Sequence, residues 1–96
     1  MSRRRYLITY DIADDRRRTR IFQTLKDEGD HAQYSVFFCE CDRTELARLR
    51  SRLRPHVHAR DDQVLILDLG SGGDPLAVAI ETMGRAYEPP SRVLVI

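Results

Sequence analysis

Lysine occurs once, at Lys26, among the 16 basic residues of this 96-residue chain; every other cation is an arginine. Long apolar runs are missing too. None approaches the roughly 18 residues of a membrane span, and the first residues lack the apolar stretch of a secretory signal, so a soluble, cytoplasmic protein is expected. Cysteine is scarce. Cys39 and Cys41 fall at i and i+2 of a strand pattern, side by side on one face where a bond between them would be strained, and they read as reduced thiols. Together with His56 and His58 they offer zinc-type donors, but the spacing matches no common finger. There is no Ser/His/Asp arrangement and no dinucleotide fingerprint, and Gly70 to Gly73 lack the Lys-Ser/Thr of a phosphate-binding loop. Repeats, internal linkers and low-complexity tracts are also absent.

What is present is unevenly distributed. The net charge of +1 hides eight Lys/Arg against five Asp/Glu in residues 1–28, six Arg against Glu45 alone in 43–60, and two Arg against six acids in 61–96. Arginine's planar fork suits bidentate phosphate contacts, which points the basic two thirds toward nucleic acid. The 42% hydrophobic content suffices for one small core whose stability a dimer would raise.

Residues 5–12 are rich in aromatic and β-branched side chains and read as a first strand. Asp14 caps a helix running to Glu28, with Ile21, Phe22 and Leu25 as its core stripe and Gly29 as its stop. Residues 33–40 read as a second strand. Asp42 and Glu45 form a capping box that opens a second helix, with Leu46, Leu49 and Leu53 on one face and Pro55 closing it. Residues 63–69 read as a third strand and Gly70 to Gly73 as a turn or loop. Residues 75–83 form either one short helix or a helical turn followed by a strand over 79–83. Pro89-Pro90 breaks the chain before an apolar terminal strand over 92–96.

This order is the α+β, ferredoxin-like split βαβ pattern in a single domain, with residues 1 to about 85 as its core. Residues 92–96 are expected to exchange into a partner's sheet, because four consecutive apolar residues at a chain end would otherwise be an aggregation-prone edge. Tyr34, Val36 and Phe38 alternate with Phe37 and Cys39, and Leu65, Leu67 and Leu69 with Val64 and Ile66, so both sheet faces need cover. Helices supply one; a second copy of the chain is the simplest source of the other.

The first strand, Tyr-Leu-Ile-Thr-Tyr-Asp over 6–11, ends in a carboxylate, and the next helix opens with Arg16, Arg17, Arg18 and Arg20. Cations in a first turn oppose the helix dipole, at a few tenths of a kcal/mol each. Local rules tend to be broken where function requires it, and guanidinium groups beside a strand-end acid suggest a site that meets phosphate and a divalent metal. Asp11 either serves there or pairs with Arg17 or Arg18. Asp14 and Asp15 read as helix caps. Tyr10, Tyr34 and Phe37 could stack on bases, though strand aromatics are more often core or interface residues. The signature of the RNA-recognition module, which shares this fold class, is absent from the third strand.

Tyr10-Asp11-Ile12 with Asp14-Asp15, Arg18-x-Arg20-Ile21, Leu25-Lys26, Gly29 and Gln33-Tyr34-Ser35-Val36-Phe37 resemble the second of the two near-universal CRISPR-associated protein families, the small partner of the spacer integrase. The resemblance is dense over the first forty or so residues. It implies a ferredoxin-like homodimer that bridges integrase dimers on DNA during spacer acquisition, some members being metal-dependent endonucleases on RNA or double-stranded DNA. Carried over residue by residue, it makes Asp11 the catalytic residue and, one from each subunit, the ligand of Mg2+ or Mn2+. Magnesium prefers oxygen ligands and keeps several waters, so one carboxylate per chain would suffice. Arg17, Arg18 and Arg20 then contact nucleic acid, with Tyr10, Ser35 and Phe37 in support. Many relatives carry a basic residue just before the Gln-Tyr-Ser-Val-Phe run; this chain has His31 and one residue fewer. The alternatives are a non-enzymatic dimeric DNA-bridging scaffold and a VapD-like toxin endoribonuclease of the same fold.

Overall fold

Strict alternation in β1 (Arg4–Asp11) sends Tyr6, Ile8 and Tyr10 into the interior and leaves Leu7, Thr9 and Asp11 on the opposite face. The computed structural model describes residues 3–71 and 80–87. After β1 come α1 (Asp15–Glu28), β2 (Asp30–Gln33), β3 (Val36–Cys41), α2 (Arg43–Leu53), a 3-10 turn over Arg54–His56 that carries Pro55, and β4 (Gln63–Ser71). The strands form one sheet in the order β2-β3-β1-β4, antiparallel throughout. This is the ferredoxin-like α+β arrangement expected. No helix among the described residues is long and apolar enough to cross a membrane.

Both helix starts follow from local chemistry. Asp14 Oδ2 accepts the Arg17 amide at 2.9 Å, and the Gly29 amide closes α1 on the Leu25 carbonyl at 2.8 Å. In α2 the capping box is complete: Asp42 Oδ1 accepts the Glu45 amide at 2.8 Å and Glu45 Oε1 accepts the Asp42 amide at 3.1 Å.

One sequence expectation is corrected. The single strand foreseen over 33–40 is a hairpin, in which Gln33 pairs with Val36 across the two-residue turn Tyr34–Ser35 and Ser35 adopts a left-handed φ of 62°. The apolar alternation runs on through the turn, so periodicity does not register the reversal, and no glycine marks it. The pairing shifts by one residue between His31 and Gln33, a bulge that places the extra residue in β2. Likewise β4 does not stop at Leu69. It continues through Gly70, whose φ of 94° suits glycine and whose amide is taken by Asp68 Oδ1 at 2.8 Å, to Ser71.

The core lies between the sheet and the two helices. Ile8, Ile21, Leu25, Phe37 and Leu49 are its most buried large side chains, joined by Tyr6, Tyr10, Ile12, Cys39, Cys41, Leu46 and Leu53. The other sheet face carries Leu7 paired with Phe38 on one side and Leu67 on the other, and Thr9 between Val36 and Leu65. Part of it meets residues 80–87, where Tyr87 approaches Phe38 edge-on at 6.1 Å beside a cavity of about 760 Å³. Along β4 the face is bare: Leu65, Leu67 and Leu69 are 46%, 43% and 49% exposed. Both faces are therefore apolar, as expected. Residues 80–83 form neither helix nor strand. Residues 72–79, which include Gly72 and Gly73, and the terminal strand expected over 92–96 lie outside the described residues.

Candidate active site

The alternation that buries Tyr10 turns Asp11 out onto the helix-free face, at the last position of β1. Its neighbour on β4 is Gln63. Toward β3, the Tyr10 amide donates to the Ser35 carbonyl at 3.2 Å, which brings the Tyr34–Ser35 turn beside the strand end. Asp11 is exposed, and its carboxylate has no hydrogen bond or ion pair among the described residues. Pairing with Arg17 or Arg18 is therefore not its role in this structure.

The loop leaving Asp11 is held by a residue that sequence reasoning did not single out. The side chain of Asp62 is fully buried, and its Oδ1 accepts the Ala13 amide at 2.9 Å while Oδ2 accepts the His58 amide at 2.8 Å. Arg17 completes the arrangement with a two-point contact, Nε to Oδ2 at 2.7 Å and Nη2 to Oδ1 at 3.1 Å. The Arg17 fork and then the Ala13 and His58 amides hold the Asp62 carboxyl well below the usual carboxylate range, outweighing the opposing effect of burial. The only hint in the sequence is an acid placed just before the strand that pairs with β1.

The arginine block thus divides. Arg17 is committed to Asp62. Arg18 is part-buried, pairs with the almost fully exposed Asp15 and lies in the field of Tyr10 and Tyr34. Arg16 and Arg20 are exposed and without a side-chain partner among the described residues. Asp14 and Asp15 supply the acids that the start of α1 needs, so the dipole mismatch is locally offset.

Of the supporting residues, Phe37 is fully buried, with Tyr10, Phe22 and His31 ring centroids at 6.4, 5.7 and 4.7 Å. Tyr10 is also buried, which raises its pKa, and its side chain is hydrogen bonded to Ser35. These aromatics are core, and base stacking is left to Tyr34, 83% exposed at the turn. His31 packs against Phe22 and Phe37. Cys39 and Cys41 are free, buried thiols; burial above all pushes Cys39 up to about 12. Among the described residues no group of three or more His, Cys, Asp or Glu could hold a metal, so neither the thiols with the histidines nor Asp11 belongs to such a cluster there.

The topology defines a ferredoxin-like α+β protein, and its site an unpaired acid at the first strand's end beside an arginine-rich helix. The sequence model of the family described as CRISPR associated protein Cas2 matches residues 4–74, and the chain belongs to that family. It is 37% identical over 91 residues to a CRISPR-associated endoribonuclease Cas2 of Rhodospirillum rubrum, covering 95% of this chain and 88% of that one. To a CRISPR-associated endonuclease Cas2 of Thermus thermophilus it is 36% identical over 92 residues, covering 96% and 94%. The crystal structure of a hypothetical protein, TT1823, from Thermus thermophilus superposes with a TM-score of 0.75 at 33% identity, covering 92% of this chain and 99% of that one.

Proposed function

We propose that this chain is a homodimeric, metal-dependent endonuclease of CRISPR adaptation, acting on phosphodiester bonds in RNA or double-stranded DNA and docking to the spacer integrase. The observation that carries the reading is Asp11: an exposed carboxylate without a partner among the described residues, on the helix-free apolar face and at the strand end, within the stretch where the family resemblance is dense. Two copies meeting across that face would cover Leu65, Leu67 and Leu69 and bring two Asp11 carboxylates to one axis. The pair, completed by water, has the hard-oxygen chemistry that Mg2+ or Mn2+ prefers. What a bound divalent cation supplies at such a site is Lewis-acid polarisation of the phosphoryl oxygens.

The protein's own groups do the rest. Arg18 and Arg20 meet the phosphates flanking the scissile bond and offset charge developing there. Arg17 acts through Asp62, fixing Ala13 and so the course of the chain after Asp11. Tyr34 offers a ring to an unpaired base. Residues 1–85 form the ferredoxin-like unit, and 92–96 add to the partner's sheet; β4, an edge strand of the described sheet, is where such an addition fits.

The test is cleavage of single-stranded RNA and duplex DNA by wild type and Asp11→Ala, with magnesium and with chelator. Wild type is expected to cleave at least one substrate only with metal, and Asp11→Ala to lose at least about a hundredfold in rate while keeping its melting curve and its dimer mass by light scattering. Cleavage retained by a clean Asp11→Ala preparation removes Asp11 from the chemistry. A folded dimer without cleavage on either substrate supports instead the bridging scaffold.

A further inference from the structure

Sequence reading directs attention to the arginines of α1, yet a second group of uncompensated arginines lies along α2. Arg43, Arg48, Arg50 and Arg54 are exposed and have no side-chain partner among the described residues. The acids that could balance them are otherwise engaged. Asp42 and Glu45 close the capping box, and Glu45 also takes Arg3 at 2.6 Å. Arg52, on the flank facing α1, is held by Asp27 and Glu28.

Helical geometry sorts the four. At about 100° and 1.5 Å per residue, Arg43, Arg50 and Arg54 fall within about 40° of one another around the axis, separated along it by about 10.5 and about 6 Å. Arg54 keeps helical φ and ψ of −52° and −42°, so the line continues to the C-cap. Arg48 points about 140° away from Arg43. Ala47 and Ser51, about 40° and about 80° around the axis from Arg43, flank one side of the row, both exposed and small enough to let a ligand approach the helix. Arg43, the first helical residue, opposes the helix dipole and is not placed there for helix stability.

We infer that Arg43, Arg50 and Arg54 form a second nucleic-acid surface, a rigid three-point rail for the phosphate backbone of duplex DNA, separate from the Asp11 site. A straight, fixed row suits the regular phosphates of a duplex. The row carries no aromatic ring of the kind that grips single strands and no apolar anchor of the kind that centres a protein interface. It rests on the reading that the chain engages nucleic acid, and adds to the cleavage site a place where the duplex is held.

The experiment measures duplex DNA binding by fluorescence anisotropy in EDTA across a salt series, for wild type, the triple variant Arg43→Gln, Arg50→Gln, Arg54→Gln, and the single Arg48→Gln. Glutamine is a good helix former, and the replaced groups have no side-chain partners among the described residues, so a wild-type circular dichroism spectrum is expected. Each lost duplex phosphate contact lowers the slope of log K against log salt by about 0.9, so the triple variant should be shallower by about 2.7. Arg48→Gln should keep the wild-type slope, and the same three positions changed to Lys should restore it. An unchanged slope in the triple variant overturns the rail. So does a drop of about 0.9 from Arg48→Gln, which would mean diffuse charge rather than a row, and so does a slope that responds only with duplex RNA. Binding that depends on the row in a protein without nuclease activity would leave the rail standing and remove the cleavage reading; cleavage with a row-independent slope would do the reverse.

Discussion

Replacing Gly29 with alanine tests how the end of α1 is seated on the sheet. Gly29 has φ −149° and ψ −170°, extended backbone that any residue adopts, so the cost of a side chain here is one of contact. A Cβ would sit 2.5 Å from the Phe38 carbonyl oxygen, 3.4 Å from its carbon and 3.5 Å from the Cys39 Cα. All three are backbone atoms of β3, which is flanked on both sides by β1 and β2 and cannot swing aside as a flexible side chain would. Forcing atoms into a packed interior costs about 1–3 kcal/mol. Losing glycine's freedom in the unfolded chain returns about 0.4–1 kcal/mol. Taken at the midpoints of the two ranges, the net destabilisation is about 1.3 kcal/mol, and at about 4–8 °C per kcal/mol for a domain of this size Tm should fall by about 5–10 °C. Thermal melts by circular dichroism at fixed pH and fixed protein concentration measure it, since association would otherwise move Tm. Because β3 leads back to the Ser35 turn beside Asp11, the cleavage rate should fall as well. A Gly29→Ala protein melting within about 2 °C of wild type would show that β3 yields without cost and refute the steric argument.

Acid should act through Asp62. Its folded carboxyl lies below the ordinary value, so the stability contributed by the contacts with Arg17, Ala13 and His58 is present at neutral pH and lost as pH falls below the unfolded carboxylate range. Melting curves from pH 7 downward should show a steep decline that Asp62→Asn flattens while lowering Tm at pH 7; parallel pH profiles for the two proteins would refute this. Phe37→Ala, which empties the centre of the core, should cost about 3–5 kcal/mol by denaturant midpoint. Tyr34→Ala, at an 83% exposed turn residue, should stay within about 0.5 kcal/mol while weakening single-stranded RNA binding. Equal losses at the two positions would mean that the turn is not exposed as described.

The elements that could be read from the chain are those whose cause is local. Asp14 and Asp42 with Glu45 announce helix starts because a cap and its amide lie three residues apart, and Gly29 ends α1 within hydrogen-bond reach of Leu25. The leucine stripe of α2 and the alternation of β1 repeat at intervals that one turn or one pleat imposes. Asp11 stood out for the same reason, as an acid at the end of a clear strand followed by arginines.

Tertiary structure decided what distance in sequence conceals. Alternation divides a strand into two faces but does not say which one the helices cover, so only the assembled sheet places Asp11 opposite the core and Phe37 inside it. The reversal at Tyr34–Ser35 is invisible to a pattern of period two that continues across it. Arg17 and Asp62 are 45 residues apart, and only the register of β4 against β1 brings them together. That contact decides which arginines keep their charge free. Pairing between charges depends on proximity in space, which the order of residues does not contain until the sheet has formed.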